Sequence, residues 1–219
     1  MELLASLDPV KVGKFLISAV ALTLAPGPDN LMVLGLGLAR GRLEGILFGA
    51  GCALGTLVHT LLATLGISAL IVASPAAFTG LKIAGAAYLA WLGIQVLRHA
   101  RDPARGRTNG VPVRRLGVFL KGMGAAAVNP KLVVFFLAFL PQFIVPAHGE
   151  VWFQTLVLGV LFGLQGGLVL ALIGYFAGTL GRRMASDPRL VVGLNVLAGL
   201  VFLTLALNLA VDLVFLAIA

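Results

Sequence analysis

The sequence predicts an all-α membrane protein whose six transmembrane helices form two inverted three-helix repeats. Three observations predict this fold: an apolar composition, the length of the uncharged runs, and a proline break at matching places in two of those runs. Hydrophobic residues make up 60% of the chain and charged residues only 11%, against roughly 25% charged residues in a soluble domain. The mean hydropathy is +1.07. A soluble chain of this length cannot bury so much apolar surface in one core, which excludes soluble enzymes and disordered proteins.

Six apolar runs are long enough to cross a membrane. A bilayer core about 30 Å thick needs about 20 helical residues. In chain order, the predicted spans cover residues 13–38, 46–73, 77–97, 116–145, 151–180 and 190–211. Ser74-Pro75 separates the second span from the third, because the residue before a proline leaves helical geometry. The chain, 1–219, is therefore predicted to be a single transmembrane domain.

The distribution of positive charge predicts the orientation of the spans. One side carries three basic residues, Lys11, Lys14 and Lys82, and the other side carries eleven, most of them in or next to the basic loop 99–115. Short loops rich in Lys and Arg stay in the cytoplasm, so both termini are predicted outside. The net charge of +8 therefore indicates topology, and no nucleic-acid partner is expected. The alternative, a cleaved signal peptide over residues 1–25, would remove half of the first span.

Proline breaks the first and fourth spans near their middles. Aligning Pro28 with Pro130 pairs Asp29 with Lys131 and divides the chain into repeats of about 12–98 and 116–217. Because each repeat holds three spans, the second enters the membrane upside down relative to the first. This is the plan of secondary transporters, whose binding site lies at discontinuous helices near the membrane midplane.

The breaks leave backbone carbonyls without helical partners. Since proline has no N–H to donate, Pro26 frees the carbonyl of Leu22 and Pro130 frees that of Ala126. An unbonded carbonyl in hydrocarbon costs several kcal/mol, so such breaks persist where they line a polar cavity or pack against protein. A structural kink is the alternative. The residues of the breaks that are predicted to line a pathway are Pro26, Gly27, Pro28, Asn30, Asn129 and Pro130.

Asp29 is the only carboxylate inside a predicted span, and Lys131 is its counterpart in the other half. A charged side chain at the centre of a membrane helix costs at least about 2.5–3.5 kcal/mol, so it indicates function unless it forms a structural ion pair. The two charges suggest a pair across a cavity. A solute that carries both charges would place its amine at Asp29 and its carboxylate at Lys131 and the positive end of a half-helix.

Three further polar residues are candidates for the pathway. His59 follows Gly51 and Gly55 at four-residue steps, so the three share one helix face, and the glycines allow a second helix to approach closely. Histidine exchanges protons near physiological pH, so His59 is predicted either to carry protons or to be a hydrogen-bonded packing residue. Thr56, one turn earlier, could bond it. Tyr88, in the third span, is predicted at a pathway position.

Four blocks of residues resemble one family in order and spacing. They are Pro26-Gly27-Pro28-Asp29-Asn30, then Gly51-x3-Gly55-x3-His59, then Leu81-Lys82-x2-Gly85-Ala86-Ala87-Tyr88-Leu89, and finally Asn129-Pro130-Lys131 with Pro141-Gln142-Phe143. Together they resemble the LysE/RhtB family of amino-acid exporters over about residues 20–215. The resemblance implies a multi-pass protein of the bacterial inner membrane that exports amino acids or their derivatives, driven by proton exchange.

Other functions fit the sequence less well. An intramembrane aspartyl protease needs two carboxylates that share a proton, and a serine or zinc enzyme needs a nucleophile with a base or several ligands. We therefore expect no enzyme, no cofactor and no metal site. A passive channel or a membrane-embedded partner subunit remains the alternative. The expected partners are an amino-acid substrate, protons, the lipid bilayer and a second copy of the chain in a homodimer.

Overall fold

The computed structural model describes residues 7–25, 27–101 and 114–218. Pro26 and most of the basic loop 99–115, which the sequence analysis singled out, lie outside the described residues. Within the described ranges the regular structure is entirely helical. The α-helices are α1 (Pro9–Leu24), α2 (Pro28–Arg40), α3 (Arg42–Ala73), α4 (Pro75–Arg98), α5 (Arg115–Ala127), α6 (Pro130–Val134), α7 (Val151–Tyr175), α8 (Ala177–Ser186) and α9 (Pro188–Ile218).

Four helices, α3, α4, α7 and α9, are long and apolar enough to cross a membrane by themselves. Two further spans result if each bent pair counts as one: α1 with α2, which are bent by 56°, and α5 with the helical segment Pro130–Phe143, which are bent by 46°. The prediction of an all-α membrane protein is confirmed. The predicted count of six spans is reached when both bent pairs are taken as single, broken spans.

Local sequence signals explain where the helices begin. Ser74 caps α4, because its hydroxyl accepts a hydrogen bond from the N–H of Ala77 at 3.2 Å, and Pro75 occupies the first turn. Asn129 caps α6 in the same way, through a 3.0 Å bond from the N–H of Lys131. The predicted boundary at Ser74-Pro75 and the predicted break at Asn129-Pro130 are therefore correct.

The ends of two spans differ from the prediction. The span predicted at 151–180 ends at Tyr175, and a turn at Phe176 leads into the separate helix α8. Gly181 of α8 packs against Leu38 of α2, so this helix has its own packing partner. Helix α9 continues beyond residue 211 to Ile218, which places Asp212 within a helix. Lys82, which was counted with the basic residues outside the spans for the orientation, lies inside α4 and is buried.

The second broken helix changes its geometry after the break. Phe135–Phe139 form a π-helical turn, and Leu140–Phe143 continue as a 3₁₀ helix. Pro141 has no N–H for the carbonyl of the preceding turn, so the regular α-helical ladder cannot run through it. The turn directs Phe135 and Phe136 into the core, where their ring centroids lie 4.8 and 5.3 Å from the ring centroid of Phe162 on α7.

Helix α3 is the centre of the bundle and packs against α5 and α7, while α4 packs against α9. Glycines make these contacts close. A side chain at Gly51 or Gly55 would collide with the backbone of α5, and one at Gly122 of α5 would collide with the backbone of α3 at Phe48. Gly45 and Gly174 similarly bring α3 and α7 together. The predicted role of Gly51 and Gly55 in close packing is confirmed.

Candidate functional site

A cavity lies where the two broken spans meet α3 and α7. Its polar lining consists of Thr23 from α1, Asp29 and Asn30 from α2, Thr56 from α3 and Lys131 from α6. The volume of the cavity is about 30 Å³, room for roughly two water molecules. The breaks in the two halves therefore open onto a shared cavity that has polar groups from both breaks in its wall.

Asp29 is held by the other half of the chain. Its side chain is 6% exposed, and its Oδ2 accepts a hydrogen bond of 2.6 Å from the side-chain amide of Asn129. Asn129 is itself fixed, because its Oδ1 accepts from the N–H of Lys131 at the start of α6. The cap of one half-helix thus orients the amide that bonds the carboxylate of the other half.

Lys131 is also held across the two halves. Its side chain is 7% exposed, and its ammonium donates a 3.3 Å hydrogen bond to the carbonyl of Leu22, which the sequence identified as freed by Pro26. A side chain on Gly27 would place its Cβ only 3.2 Å from the Nζ of Lys131. The ammonium therefore fits against the broken backbone of the first span because residue 27 has no side chain.

Asp29 and Lys131 line the same cavity, but each bonds a neutral group: the amide of Asn129 for the carboxylate and the carbonyl of Leu22 for the ammonium. One negative and one positive group in a single small cavity are complementary to a solute that carries both charges. Neither charge needs the other as its only partner in this conformation.

The side chains of Asn30 and Thr23 donate hydrogen bonds to backbone carbonyls near the end of α1. The side-chain amide of Asn30 donates to the carbonyl of Thr23 at 2.8 Å, and the hydroxyl of Thr23 donates to the carbonyl of Ala19. Gln165 of α7 donates in turn to the Thr23 hydroxyl at 3.0 Å. This network supplies side-chain donors to backbone and hydroxyl oxygens on the wall of the cavity.

His59 bonds the second freed carbonyl. Its Nε2 lies 2.9 Å from the carbonyl oxygen of Ala126, which also accepts the N–H of Asn129 at 3.0 Å. Since a carbonyl only accepts, Nε2 carries a proton. The ring packs on Phe136 at 5.7 Å between centroids and does not line the cavity. In this structure His59 makes a hydrogen bond and a ring contact, and its role as a proton carrier stays a prediction.

The remaining candidates differ in their relation to the cavity. The hydroxyl of Thr56 lines the cavity but donates to the carbonyl of Ala53 at 2.6 Å rather than to His59. Tyr88 does not line the cavity, and its ring packs on Trp91 of the same helix, at 5.5 Å between centroids. Pro28 and Pro130 are exposed first residues of α2 and α6. The prolines thus shape the breaks, and the residues beside them supply the polar groups.

The sequence analysis missed Thr23, Cys52 and the apolar residues of the wall. Thr23 lies one turn before Pro26 and so belongs to the turn whose carbonyls are freed, which is a signal that could have identified it. Cys52 also lines the cavity and is 2% exposed. No group of three His, Cys, Asp or Glu side chains close enough to hold a metal ion occurs within residues 7–25, 27–101 and 114–218.

Comparison with known proteins identifies close sequence relatives. The chain is 35% identical to an uncharacterized membrane protein of Vibrio cholerae over 196 residues, which are 90% of this chain and 94% of that protein. It is 32% identical to an uncharacterized membrane protein of Pseudomonas aeruginosa over 200 residues, 90% of this chain and 93% of that protein. A leucine efflux protein of Enterobacter sp. (strain 638) is 27% identical over 196 residues, with 90% and 93% of the two chains covered.

No solved structure matches the chain. The sequence model of the LysE type translocator family matches residues 20–213, which are most of the chain and include both proline breaks. The blocks of residues around the two breaks, which carried the resemblance to this family, are the blocks that form the cavity. This protein belongs to the LysE type translocator family.

Proposed function

We propose that the protein is a secondary active exporter that moves leucine and related amino acids out of the bacterial cytoplasm in exchange for protons. The observation that carries the proposal is that Asp29 and Lys131, both buried, line one cavity at the junction of the two broken spans. The relatives named leucine efflux protein support an amino-acid substrate. A zwitterion matches the two charges of the cavity, whereas a singly charged solute would leave one of them unmatched.

The hydrogen bonds of the cavity indicate how the substrate would be exchanged. The ammonium of the amino acid takes the place of the Asn129 amide on Asp29, and its carboxylate takes the place of the Leu22 carbonyl on Lys131. Both displaced partners are neutral, and charge-assisted hydrogen bonds are roughly twice as strong as neutral ones. Binding thus exchanges a charged–neutral contact for a charged–charged contact at each end of the substrate.

Asp29 is the group that we propose to couple export to protons. It accepts either the ammonium of the substrate or a proton, and the two exclude each other. His59 is less suited to this role, since its Nε2 proton is used by the Ala126 carbonyl and its ring lies outside the cavity. Release of the amino acid on the outer side then leaves Asp29 free to take a proton, which it carries inward.

The small volume of the cavity supports a closed conformation. A free amino acid is several times larger than a water molecule, so the walls must separate before it can bind. The proposed inverted repeats offer a way: α3 packs on α7 and α4 on α9, so each of these pairs joins one helix from each half. Rocking of the halves about these contacts would open the cavity to either side of the inner membrane, with both termini outside.

Purified protein in liposomes tests the proposal. Leucine is present at equal concentration on both sides, and the outside is made acidic. Coupled exchange should move leucine outward, and an uncoupler should abolish the net movement. A passive channel gives no net movement under these conditions, because leucine has no concentration difference to follow. Protein that moves no leucine, with or without the proton gradient, would favour the partner-subunit alternative.

A further inference from the structure

The cavity has an apolar wall as well as its charged groups. Helix α7 supplies Phe162, Gly163, Gly166 and Leu170 to the lining, which share one face of the helix by their spacing. Leu22 and Leu132 of the two broken spans and Ala53 of α3 add to the apolar lining. A solute whose charged end is held by Asp29 and Lys131 therefore has an apolar surface available for its side chain.

The two glycines of this wall differ in what surrounds them. A Cβ at Gly163 would lie 2.9 Å from the Thr56 hydroxyl and 3.3 Å from the Ala53 carbonyl, so helix packing requires a glycine there. A Cβ at Gly166 would meet only the Thr23 hydroxyl, at 3.8 Å, which is an ordinary contact. Packing does not explain the glycine at position 166, and alanine is a better helix former.

We infer that Gly166 sets the size of the pocket that receives the substrate's side chain, an aliphatic chain of about the size of leucine's. The side chain lies over the bare backbone of Gly166, between Phe162 and Leu170. This inference rests on the proposed function and assigns the recognition of the side chain to α7. A methyl group added at position 166 enters the cavity, because the space beside Gly166 is not filled by any neighbouring helix.

The inference is tested with proteoliposomes of the wild type and of Gly166→Ala, using leucine and alanine as the transported amino acids. One methylene in an apolar pocket changes discrimination by roughly 10-fold or more. The ratio of kcat/KM for leucine to that for alanine should therefore fall about 10-fold in Gly166→Ala. Gly193→Ala is the matched control, because a Cβ at Gly193 meets nothing within 4 Å and the residue lies on α9, away from the cavity.

A second variant changes the pocket in the opposite direction. Leu170→Ala removes side-chain atoms from the same wall and should raise the relative rate for phenylalanine, which is larger than leucine. An unchanged leucine-to-alanine ratio in Gly166→Ala, or an equal fall for both substrates, overturns the inference and leaves the proposed function intact. Wild-type protein that transports no amino acid overturns both. If Gly166→Ala does not fold, the response of Leu170→Ala to phenylalanine decides.

Discussion

Asn129, the residue before the break in the second half, donates a hydrogen bond to Asp29, the second residue of the helix after the break in the first half. The bond from Lys131 to the Leu22 carbonyl runs between the same two breaks. The two broken spans are therefore joined by Asp29 and Lys131, which line the cavity, so separating the spans at the breaks would break both hydrogen bonds.

Asp29→Asn should stop export while the protein still folds. The new amide can accept the hydrogen bond of Asn129, but it can neither match an ammonium nor carry a proton. Leucine accumulation in cells fed a leucine-containing dipeptide is the measurement, with detergent-solubilised protein checked for folding. Export close to the wild-type rate would remove Asp29 from the mechanism.

Combining Asp29→Asn with Lys131→Gln separates a functional role from a structural one. If the charges only stabilise the fold, two neutral residues can replace them at little cost, and the double variant should regain transport. If they bind the zwitterion, the double variant should fold and remain inactive, as each single variant does. We expect the inactive, folded protein. The two single variants and the double variant are compared in the same dipeptide assay.

His59→Gln should retain export and its dependence on the proton gradient. The amide of glutamine can donate to the Ala126 carbonyl as the imidazole does, so the bond that closes the second break is kept. His59→Leu removes the side-chain donor, but the Ala126 carbonyl keeps the N–H of Asn129. The protein should therefore be destabilised by about 0.5–1.5 kcal/mol, the net contribution of a typical hydrogen bond. Thermal unfolding in detergent and proteoliposome transport measure the two effects. Loss of proton coupling in folded His59→Gln would restore the proton-carrier interpretation.

Gly122→Ala and Gly124→Ala form a matched pair on α5. A Cβ at Gly122 collides with the carbonyl of Phe48, whereas one at Gly124 meets nothing within 4 Å. Gly122→Ala should therefore lower stability by at least about 1–3 kcal/mol through overpacking. Gly124→Ala should leave it unchanged or raise it slightly, as alanine favours helix. The midpoint of thermal unfolding in detergent compares the variants; equal midpoints would contradict the close packing of α3 on α5.

Cys52 is a built-in reporter of the cavity, because it is the only cysteine in the sequence and its side chain lines the wall. It is 2% exposed, so a maleimide should react with it slowly and only when the cavity opens. Saturating leucine should slow the reaction further by occupying the same space. Asp29→Asn should lose this protection, and Cys52→Ala should not be labelled. Labelling that leucine does not change would place the substrate elsewhere.

Single cysteines in a Cys52→Ala background test the orientation. Ala147, in the exposed segment Pro146–His148, is predicted outside, and Arg183, exposed on α8, is predicted in the cytoplasm. A membrane-impermeant maleimide added to intact cells should label Ala147→Cys and not Arg183→Cys. Both should react after permeabilisation. The opposite pattern in intact cells would reverse the predicted orientation.

Hydropathy and proline chemistry predicted most of the fold. Uncharged runs located α3, α4, α7 and α9, because an apolar run of this length has few alternatives to a membrane helix. The end of α7 was not predicted, since the residues around Phe176 are as apolar as the span itself. After the turn at Phe176, α8 packs against α2 and does not continue the span. Such a contact depends on tertiary structure.

The site was predictable in its residue types and less so in its partners. The positions of Asp29 and Lys131 after matching prolines indicated that both would reach the junction of the halves. The bonds of Asn129 to Asp29 and of His59 to Ala126 depend on how α2, α3 and α6 dock, and no local pattern encodes that arrangement. For the same reason, spacing along one helix suggested a Thr56–His59 bond, while the nearest acceptor for Thr56 is its own backbone.

Each half of the chain supplies the side-chain donor for a backbone carbonyl at the break of the other half, and this arrangement has a consequence for biogenesis. The Leu22 carbonyl receives its side-chain donor from Lys131, and the Ala126 carbonyl receives one from His59. The ribosome completes the first three spans long before Lys131 leaves the exit tunnel, so the first half enters the membrane with its break still lacking that donor. Insertion of this half and completion of its backbone hydrogen bonding are consequently separate steps, and the second depends on residues that have yet to be translated.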